Sequence, residues 1–145
     1  MQPNAQSSLR ISRAQVILLV GDALIFVFFA VEGRATHDMP LGSSPILTVL
    51  SVAAPFAVPW FILASLLGDY RAETVADPAQ ALFWTAIAWL SAGSIGLVAR
   101  AIILQRPMLP LFAVAALGIN GAMLMGWRLI VSLIEVYFSR RSNAK

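Results

Sequence analysis

The stretch AQVILLVGDALIFVFFAVEGRATH, residues 14–37, decides how the chain is read. From Ala14 to Val31 it is a largely apolar run whose one charged residue is Asp22. A helix of that length comes close to the ~30 Å thickness of a bilayer's hydrocarbon core. Its twelve Leu, Ile, Val and Phe residues each favour insertion by about 0.3–0.6 kcal/mol. Together they outweigh the roughly 2.5–3.5 kcal/mol that a central acid costs. The run therefore inserts and carries Asp22 into the membrane with it. Arg10 and Arg13 ahead of it resemble the basic start of a signal peptide. However, the run passes into Phe28, Phe29 and Val31 with no small-x-small cleavage site, so it reads as an uncleaved first helix.

Composition extends this reading to the whole chain. Of 145 residues, 59% are apolar and 12% charged, against about 45–50% and about 25% in soluble domains. A soluble fold of this size could not cover such a core. The net charge is +3, but apart from Arg128 the arginines stand at the ends of apolar runs, as flanking charges of membrane helices do. Nucleic-acid binding would need them on one exposed face. The chain has no cysteine, which removes disulfides, iron–sulfur clusters and thiol nucleophiles.

Three further apolar runs follow, so the expected fold is an all-α integral membrane four-helix bundle. Residues 1–13 form a polar tail, 14–138 the membrane domain and 139–145 a basic tail. The helices are expected at about 14–31, 46–67, 79–99 and 108–138. Pro55 and Pro59 should kink the second. Asp77-Pro78 is a good start for the third, with the acid as N-cap and proline in the first turn. Arg100, Gln105, Arg106 and Pro107 make the turn after it. Ala81, Thr85, Ala88, Ala92 and Gly96 recur at nearly every fourth position of the third helix, with Trp84 and Trp89 off that stripe. Gly118, Ala122 and Gly126 form a second stripe on the fourth helix. Small residues let helices approach closely, so the two stripes are expected to face each other.

Four spans put both termini on one side. Arg10, Arg13, Arg71, Arg140, Arg141 and Lys145 fall on that side, and Arg34, Arg100 and Arg106 on the other. The imbalance places the termini in the cytoplasm of a multi-pass protein of the bacterial inner membrane.

Ionisable groups within a membrane are rare and draw attention to function. Asp22 and Arg128 lie at depths of roughly 12 and 15 Å counted from the same side, so they can meet as an ion pair. The pair could fix helix register, or it could line an ion path. Glu32, Arg34 and His37 are read as a polar loop cluster. His37 is the only histidine, too few for a bis-histidine haem or a zinc site. Trp60, Trp84, Trp89 and Trp127 are read as interfacial anchors or packing residues.

Gly21-Asp22, the run GRATH (Gly33 to His37), Pro55-Phe56 and the run GWR (Gly126 to Arg128) occur here in a characteristic order and spacing, and Arg100 fits the same pattern. The chain resembles in these a family of small bacterial and archaeal membrane proteins, domain of unknown function 3054, over about residues 16–130. Thr36 stands where that family often has Ser, and Pro59 where Gly is more usual. The resemblance implies a four-helix membrane protein with no assigned activity, and it adds interest to Asp22, Arg34, His37 and Arg128.

No residue set specifies a reaction, so no catalytic or metal site is expected and the chain is read as non-catalytic. The expected role is an accessory, structural subunit packed against a larger membrane complex, for instance one of electron transport or photosynthesis. Lipids would surround it, and lipid, quinone or pigment could occupy a helix seam, but no cofactor is required. The alternative is a small transporter or channel that uses Asp22 and Arg128.

Overall fold

A computed structural model describes residues 12–40, 42–105 and 107–143, without the side chains of residues 142–143. The tail up to Ile11, with Arg10, the turn residue Arg106 and the terminal Lys145 lie outside the described residues. Helices α1 (Arg13–Ala35), α2 (Pro45–Leu66), α4 (Pro78–Leu104) and α5 (Pro110–Asn143) surround a common core, and a single turn, α3 (Ala72–Val75), joins α2 to α4. The four long helices are long and apolar enough to cross a membrane. The chain is an all-helical, multi-pass membrane protein.

Local chemistry sets the helix ends. Ser12 Oγ accepts from Gln15 N, and Gln15 Oε1 accepts from Ser12 N, closing a capping box at the start of α1. Asp77 caps α4, accepting from the backbone of Ala79 and Gln80. That helix runs past Arg100, beyond the end expected at 99, and stops where Gln105 takes a left-handed conformation (φ 50°). Arg100 therefore lies on the helix, its guanidinium 4.6 Å from the centre of the Phe112 ring.

Each long helix packs on its neighbours in sequence, and α1 closes the ring against α5. An aromatic layer fills the middle. Phe26, Phe56, Trp60 and Trp89 contact one another at ring-centre distances of 5.9–6.5 Å. Phe26 and Trp89 bridge the diagonal between α1 and α4. Trp89 is 1% exposed and its Nε1 donates to Leu117 O at 2.8 Å. It belongs to the core alongside the small-residue stripe of α4 rather than to the surface.

Helix α2 runs as one helix through Pro55 and Pro59. Pro59 has no N–H, so it leaves the carbonyl of Pro55 without its usual partner. Gly96 of α4 lies against that carbonyl, and a Cβ there would come 2.9 Å from it. The glycine admits close packing at the point where α2 has a free backbone acceptor.

The stripe on α5 does not face α4. Ala88, Ala92 and Gly96 are in the core, but Gly118, Ala122 and Gly126 are exposed, and a Cβ at Gly118 or Gly126 meets nothing within 4 Å. Asn120, Gly121, Leu124 and Arg128 face inward instead. Burying the one charged side chain in the middle of α5 turns the glycine row outward.

Gly96→Ala is expected to destabilise the bundle by about 1–3 kcal/mol, because the added methyl must displace backbone. Gly126→Ala is expected to stay within about 0.5 kcal/mol of wild type. Thermal unfolding of the purified monomer in detergent compares the two.

Candidate functional site

Among the described residues, the buried charged side chains gather in a polar cluster in the interior of the bundle, drawn from five parts of the chain. In α1 the buried residues recur every fourth position as Leu18, Asp22, Phe26 and Ala30. Asp22 thus points inward because it shares a face with the core, the direction that lipid imposes on a charge. In α5, Arg128 shares the inner face with Leu124 and Ser132. Arg128 Nη2 lies 2.6 Å from Asp22 Oδ2, with the two residues 2% and 0% exposed. The expected partners are in contact.

The dipeptides around them interlock as well. A Cβ on Gly21 would fall inside the indole of Trp127. Gly21 makes room for Trp127 and Asp22 receives Arg128, so Gly21-Asp22 and Trp127-Arg128 act as matched halves of one contact.

Two further residues come from the turn after α2. Helix α2 ends on Gly68 in the left-handed conformation (φ +79°). Gly68 N donates to Ser65 O and Asp69 N to Ala64 O, which is a Schellman close. It folds the chain back over the end of the helix and aims Asp69 and Tyr70 into the bundle, where they are 1% and 8% exposed. Thr74 Oγ1 donates to Gly68 O, and Gln15 Nε2 donates to Tyr70 O, so α3 and α1 both hold the turn. A glycine directly after Leu66-Leu67 was the available signal.

Asp22 Oδ2 accepts from Arg128 (2.6 Å), from Tyr70 Oη (2.6 Å) and from Trp60 Nε1 (3.0 Å). Asp69 Oδ2 lies 3.1 Å from the same Nη2 of Arg128, an ion pair off the hydrogen-bonding direction. Asp69 Oδ1 accepts from Thr85 of α4 at 3.0 Å. The guanidinium stacks 4.5 Å above the Tyr70 ring, which adds a cation–π attraction. Burial pushes the Asp69 carboxyl up to about 6, against the opposing pull of Arg128 and Thr85. Burial also raises the Tyr70 hydroxyl well above its ordinary value, and the neighbouring Asp22 charge adds to this. Tyr70 is therefore a hydrogen-bond donor at any physiological pH.

Glu32, Arg34 and His37 lie elsewhere, at the far end of α1 and just beyond it. His37 is some fifteen residues past Asp22, roughly 20 Å along a helix. Arg34 Nη2 donates to Pro40 O at 2.5 Å, and Thr36 Oγ1 donates to Glu32 O. No ion pair among the described residues joins Glu32, Arg34 and His37. Glu32 and Arg34 lie on the last turns of α1 rather than in a loop, and just beyond them His37 N donates to Arg34 O. Among the described residues no group of three or more His, Cys, Asp and Glu is placed to hold a metal.

The fold and cluster define a class: a small four-span membrane protein whose buried carboxylates and guanidinium tie all its helices together. Within that class the chain belongs to the family described as "Protein of unknown function (DUF3054)", whose model matches residues 19–131. No curated protein and no solved structure matches the chain. The matched residues include Asp22, Trp60, Asp69, Tyr70, Thr85 and Arg128.

Tyr70→Phe keeps the ring under Arg128 but removes a donor to a buried carboxylate. It is expected to cost about 1.5–3 kcal/mol, measured by chemical unfolding in detergent at neutral pH.

Proposed function

We propose that this protein is a non-catalytic subunit that packs against other membrane proteins through α5, with its buried cluster serving to fix the bundle's shape. The observation that carries this reading is how α5 divides its residues. Arg128, the charged residue in the middle of the span, is turned inward and held by Asp22 and Asp69. Gly118, Ala122 and Gly126 are turned outward, between exposed Val114, Ile119 and Ile130. A row of small residues on a lipid-facing helix suits the close approach of another transmembrane helix. The partner is thus a transmembrane helix of a second, larger protein. Nothing in the cluster selects electron transport or photosynthesis among such complexes. The arginine distribution supports placement in a bacterial inner membrane with the termini in the cytoplasm.

A second reading, a small transporter, gains one observation: Asp69 adds a third ionisable group to the pair expected from the sequence. Transport would require Arg128 to release its carboxylates during each cycle, and a buried ion pair resists that strongly. Asp22→Asn would then alter flux in reconstituted vesicles.

The subunit reading is tested by gentle extraction of the native membrane, native-gel separation and mass spectrometry of what migrates with the chain. Migration in a large assembly is expected. Ala122→Phe is expected to release the chain from that assembly while leaving the melting temperature of the isolated protein unchanged. Migration of the wild type alone would overturn the reading.

A further inference from the structure

The cluster does not balance its charge. Asp22 and Asp69 bring two carboxyl groups, Arg128 brings one guanidinium, and all three residues are 0–2% exposed. Both carboxyls crowd one nitrogen, Nη2, at 2.6 and 3.1 Å. Asp22 Oδ1 and Asp69 Oδ2 accept no hydrogen bond, and Arg128 Nε and Nη1 donate none, although none of these atoms reaches solvent.

Among the described residues the surroundings of the cluster supply no second buried cation. Asp22 faces the cluster from α1, Trp60 from α2, Tyr70 from the turn, Thr85 from α4 and Arg128 from α5. Arg71 lies over Gly68 and Arg13 lines a recess beside α3, and both are exposed to solvent. Glu135 lines the same recess and is an acid, not a cation. An uncompensated negative charge in such an interior is costly, and the usual resolution is to neutralise it.

The geometry points to a binding site for one exchangeable proton, shared by the carboxyls of Asp22 and Asp69 and anchored by Arg128. A proton suits the space better than a metal ion. A metal cation needs several oxygens around it, whereas a proton needs one lone pair, and two oxygens here have one free. A protonated carboxyl also becomes a donor, which can satisfy a neighbouring oxygen that now accepts nothing.

The turn brings the cluster nearest to the membrane surface. Asp69 lies between the membrane-spanning segments, and burial moves its carboxyl up to about 6. Beside this turn a recess of about 360 Å³ opens, lined by Ser12, Arg13, Gln15, Ala72, Val75 and Glu135 among others, and Gln15 also donates to the backbone of Tyr70, next to Asp69. Asp69 holds its proton more tightly folded than unfolded, where the ordinary value of 3.8 applies. Its contribution to stability is therefore complete below pH 3.8 and is lost as the pH rises through about 6.

This proposal does not depend on the partner protein, because the proton is held within one chain. The test is infrared difference spectroscopy of the full chain in lipid nanodiscs, titrated from about pH 4 to about pH 8. The carbonyl stretch of a protonated carboxylic acid is expected to disappear in a single one-proton transition with a midpoint near 6. Asp69→Asn should abolish the transition and leave a balanced Asp22–Arg128 pair in a folded protein. Thr85→Val keeps both carboxyls and removes a donor to ionised Asp69, so it should raise the midpoint. Glu135→Gln should leave the transition in place. The proposal is overturned if no protonated carboxyl is seen across the range. It is equally overturned if the transition survives unchanged in Asp69→Asn, or if neither Asp69→Asn nor Thr85→Val moves it. A midpoint that shifts with sodium concentration at fixed ionic strength would assign the site to a metal cation instead.

Discussion

A guanidinium in the middle of a membrane helix cannot be solvated by lipid, and the rest of this structure follows from that constraint. Arg128 must find its anion inside the protein. Asp22 supplies it from α1, Asp69 from the turn after α2, and Trp60, Tyr70 and Thr85 supply donors to the two carboxylates. Lipid-facing apolar residues drive insertion but give little preference for one helix rotation over another. A buried pair does give such a preference, because any rotation that exposes one partner leaves both charges without compensation. The cluster therefore determines which face of α1 and of α5 points inward.

Close packing then follows where small residues permit it. Gly21 accepts the indole of Trp127 immediately beside the ion pair, and Gly121 lies against the ring of Trp89. Gly96 meets the carbonyl that Pro59 leaves free on α2. The aromatic layer of Phe26, Phe56, Trp60 and Trp89 spans the diagonal of the ring. Trp60 belongs to both systems, with its ring in the aromatic layer and its Nε1 on Asp22. Apolar packing and polar pairing share a side chain, so a disturbance of one reaches the other.

The spans were legible in the sequence because length and hydropathy define them directly. The contact of Asp22 with Arg128 was legible because depth along a helix can be counted. Asp69 and Tyr70 were not, since a loop residue's depth depends on how the chain turns, and only the glycine after Leu67 hinted at a fold-back. The direction of Gly118, Ala122 and Gly126 was misread for a different reason. A helix that is apolar on every side has no polar face to orient it. Yet at 100° per residue the row lies roughly 80–160° around α5 from Arg128, and Asn120, Gly121 and Leu124 lie within about 80° of it. Taking Arg128 as the reference for the inner face turns the glycine row to the lipid. Glu32, Arg34 and His37 are near one another in sequence, and the bonds there close the end of α1: His37 N donates to Arg34 O, Thr36 to Glu32 O and Arg34 Nη2 to Pro40 O.

The central claim is that the Asp22–Arg128 contact holds the bundle together, and a double-mutant cycle measures this most directly. Asp22→Asn, Arg128→Met and the double variant would be unfolded reversibly in mixed detergent micelles at neutral pH. The account predicts a coupling energy above about 1 kcal/mol, with the double variant more stable than the sum of the single effects. Effects that add to within about 0.3–0.5 kcal/mol would contradict it, because the two residues would then act independently.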